Sequence, residues 1–360
     1  MKVSEIKKKI PTDKQIRKTI SSLVSEDKQQ VRDAQTELLS DLSKIQAYLN
    51  YFITKYGDTD TKTKELTVDI SKMLQTPSLT DLTQLKKLYK EVKSEVSSLE
   101  NSKPAQNVLN VAIATAGVSR TNTISAVLSV LSVEAGTKIK KTLDKSLDKE
   151  YKRELSRSEP ITRAVKASGQ TDSSSNPRTK IKQTSDDPLN KVKYGMNKRQ
   201  LGNLKDNVVS KDELNNDFDS VYWNNVSKIG QGAGQFFKDQ VTYNGGLNTD
   251  VVKKMLWSDL HSAPLGVRKP AHNLSSNIRT QKAVVKNRAT VAYGLSRGIK
   301  KWTIVTMNDN NVCSLCQGAS AGGAYTYTQL VENGYYPVIH DNDRCDFEPE
   351  FDDFQLDELK

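Results

Sequence analysis

All three cysteines of this chain fall inside one 33-residue window, which also holds one of only three histidines. The window reads Cys313-Ser314-Leu315-Cys316, then 23 residues, then His340, four residues and Cys345. Random placement along 360 residues rarely puts three cysteines so close together. A two-residue gap lets both sulfurs of the first pair point to one side of a tight turn. Thiolates and an imidazole at this spacing can converge on a tetrahedral ion, usually Zn2+. A disulfide would leave an odd thiol, and nothing else in the sequence suggests secretion. Plain buried thiols and a redox or catalytic Cys–His pair are the remaining readings, and the last leaves two cysteines idle. Asp341, Asp343 and Asp346 are spare carboxylates that can compete as ligands or stand behind them.

The N-terminal half has the periodicity of helices. Pro11-Thr12-Asp13-Lys14-Gln15 offers an N-cap, with Gln15 three residues after Thr12. Ile16, Ile20 and Leu23 begin an apolar stripe that skips a turn at Asp27. It resumes with Val31, Ala34, Leu38, Leu42, Ile45, Leu49 and Phe52 and stops at Gly57. The spacing predicts one helix of about 40 residues whose seam needs a partner. A second stripe after Pro77 runs through Leu82, Leu85, Tyr89, Val92, Val96 and Leu99, and a third through Ile139, Leu143, Leu147, Tyr151 and Leu155. Between them, residues 108–114 and 124–131 are uncharged arms around a turn-like Gly117–Asn122. Each arm is expected to be buried on all sides as the core of a bundle.

Residues 166–197 are polar and poor in apolar side chains, which predicts a linker. Beyond it, helices are expected around 212–228 and 250–260. Gly230-Gln231-Gly232-Ala233-Gly234 between them lacks the Lys-Ser/Thr of a phosphate-binding loop and reads as a bend. From Trp302 onward, short strands and loops are expected around the metal. The fold class is therefore mainly α: an N-terminal helical bundle or long α-hairpin over 1–165, then a C-terminal α+β domain over 198–351. The latter carries a small zinc-stapled β region and is followed by an acidic tail, 352–360.

Charge is uneven. The chain carries +11 at neutral pH, yet residues 341–360 hold nine carboxylates against Arg344 and Lys360. Residues 260–301 hold nine Lys and Arg with no Asp or Glu. On a helix, Arg279, Lys282, Lys286, Arg297 and Lys300 form one stripe, opposite an apolar set of Val285, Ala289, Ala292, Leu295, Ile299 and Trp302. Such a face suits the phosphate backbone of double-stranded DNA, contacted without sequence preference. Pairing with the acidic C-terminal tail or a protein partner, and a bare solvated face, are the competing readings. The first residues have no apolar signal core, and no apolar run approaches a membrane span. A soluble, cytosol-made protein with no membrane partner is expected.

The flanks of the cysteine window resemble a known family. Trp302-Thr303, Asp309, Val312, the Cys313–Cys316 pair, Pro337-Val338-Ile339-His340 and Arg344-Cys345 are similar to the C-terminal signature of phage Mu F-like minor head (head morphogenesis) proteins. Upstream, Ala271 and Asn277-Ile278-Arg279-Thr280-Gln281 resemble that family's Ala-x-x-Ile-Ala-Arg-Thr-Glu helix. The resemblance covers about residues 200–350. Where the family ends in His-Pro-Asn-Cys-Arg-Cys, this chain reads His340-Asp341-Asn342-Asp343-Arg344-Cys345, which leaves Cys345 or Asp343 as the fourth ligand. The resemblance implies a structural or accessory virion protein in the phage head, made in the host bacterial cytoplasm. It would act near the portal protein and other head proteins in assembly and in DNA packaging or delivery. No enzyme and no small-molecule substrate are expected, because no base, nucleophile and oxyanion set assembles from three scattered histidines. The alternative is a zinc-ribbon nucleic-acid-binding protein that is not part of a virion.

Overall fold

Helices form where the apolar stripes run, and the computed structural model describes residues 13–61, 63–99, 102–167, 218–295, 300–306, 312–340, 343 and 345–350. In chain order the elements are α1 (Asp13–Ser43), α2 (Ile45–Tyr56), β1 (Asp58–Thr59), β2 (Leu66–Asp69), α3 (Ile70–Met73), α4 (Leu79–Ser97), α5 (Lys103–Ile113) and α6 (Arg120–Ala167). Then follow α7 (Phe218–Tyr243), β3 (Gly246–Leu247), α8 (Thr249–Lys254), α9 (Leu265–Leu295), β4 (Lys301–Val305), α10 (Ser314–Ala321), β5 (Ala324–Thr326), α11 (Tyr327–Glu332) and β6 (Asp346–Glu350). The fold is mainly α, with two small antiparallel sheets ordered β1-β2-β3 and β5-β4-β6. Among the described residues no helix is long and apolar enough to cross a membrane. Thr12, nearly all of the expected linker and the tail at 352–360 lie outside the described residues.

The described residues belong to two compact units with interleaved segments. The first draws on Met1–Gln29, Asp144–Phe218 and Ser276–Lys360, the second on Gln30–Leu143 and Asp219–Ser275. The bounds of these units do not follow the expected linker, since each draws on segments from both sides of it. The physical reason lies in what covers α6 inside the second unit.

In that unit the long N-terminal stripe is carried by two helices that meet at Lys44, and Leu38, Leu42, Ile45, Leu49 and Phe52 are buried. The Gly57 N–H donates to Ile53 O at 2.8 Å, and a Cβ at Gly57 would sit 2.4 Å from that oxygen, so a side chain has no room. α4 opens with a capping box between Ser78 and Asp81 and buries Leu85, Leu88, Val92 and Val96. Leu82 and Tyr89 of the expected stripe are half-buried, and Leu88 takes the inner place. The second uncharged arm is enclosed, with Ile124, Ala126, Val127, Leu128, Val130 and Leu131 all buried. The first is not: α5 buries Ala105 and Leu109 along one face, while Val111 is 63% exposed.

The partner of α6 is α7, and small residues bring the two backbones together. A Cβ at Gly230 would lie 2.7 Å from Ser129 Cα, one at Gly234 3.0 Å from Ser125 Cβ, and one at Gly136 2.9 Å from Val226. Contacts descend α7 as they climb α6, so the helices are antiparallel. Tyr222 donates its hydroxyl proton to Gly136 O at 2.7 Å, and Lys140 pairs with Asp219 at 3.2 Å. The bend expected at Gly230–Gly234 is thus corrected: these glycines lie inside α7, where close approach offsets their poor helix propensity. Gly232 serves a further contact. A Cβ there would lie 2.1 Å from Gly266 O, a carbonyl whose usual helical donor is four residues on, at Pro270, which has no N–H. The sheet adds a last tie, because β2 pairs with β3 across Val68 and Leu247.

Gly230→Ala tests the seam. Alanine gains about 1 kcal/mol of helix propensity, but overpacking against Ser129 costs about 1–3 kcal/mol. The melting temperature followed by circular dichroism should fall. A rise would show slack between the helices.

The first unit is built around β4, which pairs with β5 on one side and along its whole length with β6 on the other. Trp302, Ile304 and Phe347 are fully enclosed there, with Val291, Leu330 and Tyr336 in the same cluster. Val285 and Ala289 of the expected apolar face are buried. Trp302 is buried too, but it belongs to β4 and not to the helix. Its indole lies against Gly294, where a Cβ would come within 3.0 Å of Trp302 Cζ2.

Candidate metal centre

Cys313 occupies the N-cap of α10, and its Sγ accepts the Cys316 N–H at 3.3 Å. An N-cap side chain folds toward the third residue of its helix. This is why the two-residue gap gathers both sulfurs at one helix end. His340, from the loop before β6, brings Nε2 to 3.2 Å from Cys313 Sγ and 3.0 Å from Cys316 Sγ. Cys316, Asp343 and Cys345 form a second group, and within each of the two triplets the donor atoms lie within 4.8 Å of one another. Cys316 is common to both. Tetrahedral bond lengths for zinc imply S···N separations of about 3.6 Å. The observed distances are a few tenths shorter, so small outward movements would admit an ion. The donor set can hold a metal ion, as its spacing in the sequence suggested.

Asp343 binds the loop to itself. Its Oδ1 accepts the Cys345 N–H at 2.8 Å, its Oδ2 accepts the Ile339 N–H at 2.9 Å, and its own N–H donates to His340 O at 3.1 Å. Cys316 Sγ is 4.0 Å from Oδ1. Asp343 thus fixes the curvature that presents His340 and Cys345 on the same side.

Electrostatics separate the three thiols. The Cys316 amide, with the Cys316 thiol and His340 behind it, draws exposed Cys313 down to about 7. Burial pushes Cys316 up to about 12, and burial with the charge of Asp343 pushes Cys345 up as well. A divalent cation reverses this preference, because thiolates are its ligands and their protons leave as it binds.

No family model, curated protein or solved structure matches this chain. The functional reading rests on the residues themselves.

The expected basic stripe does not form one free face. Lys282 and Lys286 are buried, Lys282 paired with Asp27 and Lys286 with Asp346 at 3.5 Å. Arg279 is half-buried with interactions of its own, Lys300 is exposed, and Arg297 lies outside the described residues. Two of the five cations expected to contact phosphate are thus buried and held in internal ion pairs. A desolvated ammonium is costly unless paired, and its partners come from α1 and the acidic C-terminal segment. Lys286 pairs with Asp346 of β6, and the tail at 352–360 expected as a rival partner lies outside the described residues. Asn287 escaped the sequence reading altogether. It is fully buried and donates Nδ2–H to Pro337 O at 2.9 Å, and no sequence pattern announces it.

Proposed function

We propose that this chain is a non-enzymatic structural protein of a phage head, a minor head protein acting near the portal in head assembly and DNA packaging or delivery. The observation that carries this reading is the convergence of Cys313, Cys316, His340, Cys345 and Asp343, since these residues also carry the resemblance to Mu F-like minor head proteins. The ion is Zn2+, held by Cys313, Cys316, His340 and Cys345. Both Asp343 oxygens already accept backbone N–H groups, which supports Asp343 as a brace and Cys345 as the fourth ligand. The ion supplies a covalent-like staple for a short, polar loop region and no reaction chemistry, because four protein ligands leave no open position.

The net charge of +11 supports nonspecific contact with double-stranded DNA. Exposed cations such as Arg268, Lys269 and Lys300 carry that contact, and Lys282 and Lys286 do not. The burial of those two also weakens the rival reading of a free zinc-ribbon regulator. The deciding experiment is co-expression with a portal protein and major head protein. The chain should co-purify with the portal or with proheads. Its complete absence from both, with DNA binding retained, would favour the regulator.

A further inference from the structure

We propose that Lys286 and Asn287, adjacent on α9, are positioning residues for the metal centre, holding the two ends of the segment that carries His340 and Cys345. This rests on the metal reading above. Asn287 donates to the carbonyl of Pro337, three residues before His340, at 2.9 Å. Lys286 donates to the carbonyl of Cys345 itself at 3.2 Å and pairs with Asp346 at 3.5 Å. Between these anchors Asp343 ties the loop to its own amides. The segment from Pro337 to Asp346 is thus pinned at both ends by one helix and braced in its middle.

Both side chains are shielded from water, Asn287 completely and Lys286 nearly so. Asn287 bonds a backbone carbonyl, and Lys286 a backbone carbonyl and the Asp346 carboxylate. They act on the backbone that aims the donor atoms. Lys286 adds a charge effect. Three thiolates around a divalent cation carry a net negative charge, and Asp343 and Asp346 add more, so an ammonium on the Cys345 carbonyl favours the loaded state. Groups that orient metal ligands without touching the ion alter metal affinity by about 10–100-fold when removed.

α9 also supplies the control. Lys282, one turn earlier, is buried to the same degree, but it pairs with Asp27 of α1 and not with the metal loop. The test uses the full chain with Zn2+ and Co2+ as probes. Zinc affinity is measured by competition with a chromophoric chelator, and the coordination geometry by the visible absorption of the Co2+ form. Lys286→Met and Asn287→Leu should each weaken zinc binding by about 10–100-fold and change the Co2+ spectrum. Lys286→Arg, which keeps charge and donor, should recover most of the affinity. Lys282→Met should lower thermal stability and leave affinity within about twofold. Asn287→Ser carries the test if either larger change prevents folding.

Wild-type affinity in the Lys286 and Asn287 variants overturns the inference. So does an equal loss in Lys282→Met, which would mark a general effect of disturbing α9. If the wild-type chain takes up neither ion, the metal reading itself fails. These outcomes are separable.

Discussion

Cys316→Ser should abolish metal uptake and unfold the region from β4 to β6, the largest loss expected from any single substitution in the first unit. Cys316 is the donor common to both triplets of the site, and its sulfur is buried. Structural zinc supplies about 10 kcal/mol or more of folding in small finger peptides. The loss here should be smaller, on the order of 5 kcal/mol, because Trp302, Ile304 and Phe347 form an apolar cluster of their own. Elemental analysis of the wild-type chain should give about one zinc per chain. Chelation should reproduce the phenotype of Cys316→Ser, and Cys345→Ser should be harsher than Asp343→Ala. A chain without metal, whose melting is unchanged by Cys313→Ser and Cys316→Ser, would remove zinc from the account.

The second large effect is expected at Asp81, whose side chain is fully enclosed in the second unit. Its carboxylate pairs with Lys55 at 2.9 Å, lies 3.5 Å from the Arg120 guanidinium, and accepts from Tyr56 at 2.9 Å and from the Ser78 amide at 2.8 Å. Burial alone would raise its pKa. The Lys55 ion pair, the Ser78 amide and Tyr56 overcome that and hold it down at about 2, against an ordinary 3.8. A depressed carboxyl stabilises the folded state above its unfolded pKa and loses that contribution as pH falls through the folded value. The interval is worth about 2 kcal/mol, fully present above about pH 4 and gone near pH 2. Asp81→Ala should cost about 3 kcal/mol at neutral pH, since it strands buried Arg120 as well. Asp81→Asn should cost about 2 kcal/mol. Urea unfolding across pH 2–7 checks this. The gap between wild type and Asp81→Asn should close in acid, and a gap independent of pH would show that the carboxylate's charge is not what stabilises the fold.

Features that depend on period or spacing were legible in the sequence. The stripe from Leu38 to Phe52 became buried helix, Gly57 ended it, and the Cys313–Cys316 gap became an N-cap that gathers two sulfurs. Features that depend on a distant partner were not. A glycine run looks like a bend until the serines of α6 lie against it, and then it looks like a groove. The basic residues of α9 look like a binding face until Asp27 and Asp346 arrive from more than 50 positions away. Asn287 gave no hint, because a single amide reaching one carbonyl leaves no pattern along the chain.

Cys345 is followed at once by Asp346, the first residue of β6, and β6 pairs with β4 residue by residue from Asp346 to Glu350. Ladder and ligand are therefore arranged in series. Tension applied to the chain beyond Glu350 must strip the strand before any of it reaches the ligand loop. A protein hauled by its C-terminal end would give way first at the sheet and keep the cluster of Cys316, His340 and Cys345 together to the last.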